Sequence, residues 1–114
     1  MTYGTPGIAR AIQSFAEQGV EKLLVLPLFP QYCSSTTGSV TDGTNRALKR
    51  WRSLPQVRFI NDYHDDVGYI RALSDKIKAH WAASGARSHL LFSYHGIPAS
   101  YVAKGDPSLI HILR

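Results

Sequence analysis

The chain has 114 residues, a formal net charge of +5, and 44% hydrophobic and 11% aromatic residues, enough apolar material to exclude a disordered chain. No apolar stretch approaches the roughly 20 residues that a membrane-spanning helix requires. Cys33 is the single cysteine, which excludes a disulfide framework or a cysteine-rich metal site within the chain and fits a reducing compartment.

From the N-terminus, Thr5 stands where an N-cap belongs and Pro6 suits a first helical position. A helix is therefore expected over residues 6–18, with Ile8, Ile12 and Phe15 at helical spacing and Gly19 just past its end. "KLLVLPL" (22–28) reads as a strand buried on both faces, since a parallel strand with two covered faces shows a continuous apolar run. The hydroxyl-rich "FPQYCSSTTGS" (29–39) leads into a second helix expected over 38–52, with Val40, Ala47, Leu48 and Trp51 available for burial. Around Trp51 lies the one dense basic cluster, Arg46, Lys49, Arg50 and Arg52. It either attracts phosphate or carboxylate or forms the solvated side of a helix.

"VRFIND" (57–62) is a second, shorter strand, and Asp65 or Asp66 caps the next helix. That helix carries Tyr69, Ile70, Leu73, Ile77 and Trp81 in one stripe over about three turns and stops at Gly85. "SHLLFSY" (88–94) reads as a third buried strand, and residues 98–104 begin another helix. The order α-β-α-β-α-β argues for an α/β protein with parallel strands joined by helical crossovers. Three strands are few for a self-sufficient sheet of this kind, so an excerpt from a longer α/β enzyme is expected. The closing "SLIHILR" (108–114) matches nothing in the preceding pattern.

Two loops at the carboxyl ends of expected strands carry most of the useful polar groups, where open α/β sheets place their ligands. In the first, Ser34, Ser35, Thr36 and Thr37 run into a helix start, where hydroxyls and backbone N–H groups form either an anion site or an N-cap with a polar turn. It is no P-loop, because the lysine after the glycine is absent. In the second, Ser93, Tyr94 and His95 precede Gly96 and Pro98. A histidine there accepts a proton near neutral pH or binds a divalent metal, or else it is hydrogen-bonded into its loop. Ser93 lacks the G-x-S-x-G elbow of a nucleophilic serine. His64 follows the second strand with the same geometric logic, more weakly. No pattern of nucleic-acid recognition accompanies the basic cluster, so no nucleic-acid partner is expected.

"VLPLFPQYCSSTTGSV" (25–40) and "LLFSYHGIP" (90–98), with "MTYGTP" (1–6) and "YVAKGDP" (101–107), together resemble the bacterial ferrochelatases. The resemblance implies two similar Rossmann-like domains, each a parallel sheet flanked by helices, with a porphyrin in the cleft between them. Residues 1–54 would then be the end of the first domain, residues 55–107 the start of the second and residues 108–114 an atypical tail. It implies insertion of ferrous iron into protoporphyrin IX with release of two protons, in haem biosynthesis. His95 falls on the histidine of the family's S-x-H-x-x-P motif, the metal-site residue and proposed acceptor of pyrrole protons; its acidic partner lies beyond this stretch.

By the same resemblance, Tyr3 matches a pocket tyrosine, with Thr2 where an arginine is usual, and Ser34, Ser35, Thr36, Thr37 and Ser93 are candidates for substrate contact. Cys33 sits one place before the cluster cysteine of iron–sulfur relatives and has no partner cysteines, so no cluster and no resident cofactor are expected. The expected partners are protoporphyrin IX and ferrous iron. With no signal pattern and no membrane span, the expected location is the cytoplasm. The alternative is a non-catalytic α/β module that binds a tetrapyrrole or another anion.

Overall fold

The chain divides into two compact units, Met1–Asp62 and Tyr63–Arg114; the computed structural model describes residues 4–85 and 88–107 of it. In the first unit, α1 (Ile8–Glu17) starts after Gly7, whose backbone is extended and whose N-cap position holds no side-chain hydrogen bond. The expected Thr5 cap and Pro6 start thus lie just upstream of the helix. Its other end matches expectation. Gly19 takes φ +68, and the Gly19 and Val20 N–H groups donate to the Ala16 and Phe15 carbonyls, so the last turn closes by a Schellman arrangement.

β1 (Lys22–Val25) and β2 (Gln56–Phe59) pair in parallel, with Leu23 opposite Val57 and Val25 opposite Phe59. Alternation along a strand puts these four on one face. There Leu23 and Val57 meet Ile12 of α1 together with Ala47 and Leu48 of α2 (Ser39–Leu48), the core of the unit. The opposite face is uncovered: Leu24 is 61% exposed, and Arg58 beside it is exposed as well. The apolar run at 22–28 is therefore covered on one face only, because both helices of the unit pack on the same side. β1 stops two residues before Pro27, which has no N–H to offer a ladder. The pairing of β2 with β1 places both strands within the first compact unit.

The second unit is helical among its described residues. α3 (Val67–Ser84) is capped by Asp66, whose carboxylate accepts a hydrogen bond from the Tyr69 N–H at 2.9 Å. Gly85, at φ +82, ends it. Tyr63 packs edge-on against Tyr69, with ring centroids 5.4 Å apart. The apolar stripe of α3 is present but not enclosed: no residue of the helix is buried, and Ile70 and Leu73 are exposed.

A short helix, α4 (Ala99–Ala103), follows Pro98. The third strand expected at 88–94 is not formed, and Leu91 is 90% exposed. A strand needs a neighbouring edge to satisfy its N–H and C=O groups, and the described residues of this unit supply none. The result is an α/β chain with a small parallel sheet and helices, incomplete as a doubly wound fold.

Candidate functional site

After β1 the chain passes through the buried Pro27 and reaches Cys33, which is extended and buried. Ser34–Gly38 then form one π-helical turn that runs directly into α2. The turn is closed by the Gly38 N–H donating to the Cys33 carbonyl at 3.1 Å. The Thr36 hydroxyl also donates to that carbonyl, at 3.2 Å, and the Cys33 thiol and Ser35 hydroxyl lie 3.1 Å apart. The expected hydroxyl loop is thus a wound helix start rather than an open loop.

The wider turn sorts its hydroxyl residues. Ser34 and Ser35 are exposed and Thr36 is half-buried, whereas Thr37 is fully enclosed. The Thr37 Oγ1 has no hydrogen-bond partner, although its carbonyl accepts from the Thr41 hydroxyl at 3.0 Å. Ser34 and Ser35 are therefore the hydroxyl residues of this turn that reach the surface, in the segment between β1 and α2. A glycine suits position 38, since a Cβ there would stand 3.2 Å from the Tyr32 hydroxyl.

Ser93, Tyr94 and His95 belong to the second unit, in an irregular stretch before α4. Phe92 and Tyr94 stack with ring centroids 6.3 Å apart and planes 13° from parallel. All four are exposed, so the His95 imidazole is open to solvent rather than packed among aliphatic side chains. It stands at the end of no described strand, which corrects the expected setting at a strand mouth.

Tyr3 lies outside the described residues. His64 is half-buried, and one ligand atom from each of His64 and the adjacent Asp65 lies within 4.8 Å of the other. The enclosure of Thr37 is what sequence reasoning missed, because nothing in a run of four hydroxyls marks which one turns inward.

A parallel α/β unit that presents hydroxyls where a strand hands over to a helix belongs to the class of folds that bind small molecules at strand ends. The comparisons narrow the class. The family model described as Ferrochelatase matches residues 1–112. The chain is 48% identical over 107 residues to the ferrochelatase of Teredinibacter turnerae, covering 94% of this chain and 29% of that relative. It is 49% identical to that of Marinobacter nauticus over the same shares, and 48% identical to that of Aeromonas hydrophila, where it covers 33% of the relative. No solved structure matches. The chain belongs to the ferrochelatase family, and it spans about three-tenths of the length of these curated relatives.

Proposed function

We propose that this chain is a stretch of a ferrochelatase in which His95 handles metal or protons, in a protein that inserts ferrous iron into protoporphyrin IX to form haem. The observation that carries the reading is the family match across residues 1–112, which includes both the Ser34–Gly38 turn and the S-Y-H-G-I-P segment. The exposed imidazole of His95 supports it, since neutral imidazole can take up a pyrrole proton or hold the incoming ferrous ion. Insertion exchanges two pyrrole N–H protons for one Fe²⁺, so a nearby acceptor lowers the barrier to their departure. Ser34, Ser35 and Ser93 are suited to hydrogen-bond a substrate carboxylate. Tyr3, Thr36 and Thr37 complete the candidate set by the same family resemblance.

Iron enters as substrate in this reading. Cys33 supplies a single thiol, so the chain holds no iron–sulfur cluster of its own, and no resident cofactor is invoked. The reaction takes place in the cytoplasm. No helix of the described residues is long and apolar enough to cross a membrane.

The test is a chimera in which residues 1–107 replace the matching stretch of the Teredinibacter turnerae ferrochelatase. Haem formation by the folded chimera, followed by absorbance, is the expected result. A chimera with native-like circular dichroism that binds protoporphyrin but forms no haem would overturn the reading.

A further inference from the structure

We infer that the cavity at the amino end of the two-stranded sheet, opposite the hydroxyl turn, binds a small amphipathic anion: an aromatic body carrying a carboxylate or phosphate. The cavity measures about 520 Å³, and its lining includes the stretches just before β1 and just before β2. These stretches are tied together where the Gln56 N–H donates to the Glu21 carbonyl at 2.8 Å. Its volume falls within the ~300–1,000 Å³ of small-molecule sites.

Val20, Trp51 and Leu54 give the cavity an apolar wall, and Leu54 is 66% exposed beside it. Arg50 and Arg52 give it two guanidinium groups against one acid, Glu21. Among the described residues neither arginine makes an ion pair or side-chain hydrogen bond, and both are exposed to solvent. Arg50 is also shared by two neighbouring cavities of about 370 and 250 Å³, whose linings add Arg46 and Arg10 and contain no acid. Together the three linings hold Arg10, Arg46, Arg50 and Arg52 against the single acid Glu21. An apolar ligand alone would leave the guanidinium groups unused, and a bare phosphate would leave Trp51 unused. A molecule with both parts uses the whole lining, its ring against the indole.

The experiment titrates the 114-residue chain with 1-naphthyl phosphate, 1-naphthoate and the neutral 1-naphthalenemethanol. Calorimetry and the NMR signal of the Trp51 indole N–H report binding. Both anions are expected to bind and shift that signal, with the alcohol at least tenfold weaker. Arg50→Gln combined with Arg52→Gln should weaken the anions at least tenfold with an unchanged circular dichroism spectrum. Arg58→Gln, on the exposed sheet face, should leave their affinity unaltered. Equal binding of the alcohol would overturn the inference without any variant. So would an undiminished double variant, or a loss in Arg58→Gln as large as in the double variant, the signature of unspecific attraction to a basic chain.

Discussion

Leu48→Ala tests whether α1, α2 and the strand pair form one core. Leu48 is 5% exposed and sits with Ile12 and Ala47, with Ile8, Leu23, Trp51 and Val57 packed around them. Leu→Ala at a buried site costs about 2–5 kcal/mol, the spread depending on how far the surroundings collapse. Here those four neighbours are only partly buried and can close in, so the low end applies, about 2–3 kcal/mol. With a urea slope of about 1 kcal/mol/M for so small a unit, the midpoint should fall by about 2–3 M. The assay is urea unfolding followed by Trp51 fluorescence in a Trp81→Phe background, since Trp81 belongs to the second unit. Leu28→Ala is the matched control, because Leu28 is 81% exposed and the same chemical change there should move the midpoint very little. Equal shifts for the two variants would refute the packing described for Leu48.

Other expectations are local. Asp66→Ala removes the carboxylate that caps α3 and should cost that helix about 1 kcal/mol, read as lost ellipticity at 222 nm. Undiminished helicity would show the cap to be idle. Thr37→Val replaces an enclosed hydroxyl that lacks a partner with a methyl of the same shape, and should raise stability by about 1 kcal/mol in the same urea assay. A destabilised variant would mean the hydroxyl is satisfied after all. The isolated 114-residue chain should form little or no haem from protoporphyrin and ferrous iron, and measurable turnover by it would contradict the proposed need for the rest of a ferrochelatase.

The features readable from the residues are those decided within a few positions of chain. Asp66 caps α3 because its carboxylate reaches an N–H three residues on, and Gly19 closes α1 because a left-handed φ costs glycine little. The two strands were readable as apolar runs, but their cover was not. Whether Leu24 is buried depends on an element packed against the second face, and the helices of its unit both lie on the first. The segment at 88–94 fails as a strand for the same kind of reason: its composition suits a ladder, but a ladder needs a second edge. At the site, the place of the hydroxyl run between β1 and α2 was legible, whereas the strand expected before His95 is not formed. The π-helical winding that encloses Thr37 was not legible, because one wider turn depends on how the helix start seats on the core and leaves no residue signature.

The central claim is that His95 takes part in metal insertion itself, and single-turnover iron insertion by the chimera with and without His95→Ala tests it most directly. Porphyrin binding is read from the Soret shift before iron is added. The account predicts unchanged protoporphyrin affinity with an insertion rate reduced by about 10²–10⁴-fold, the range for a lost proton-transfer group. Insertion at the parental rate by a folded His95→Ala chimera would contradict it.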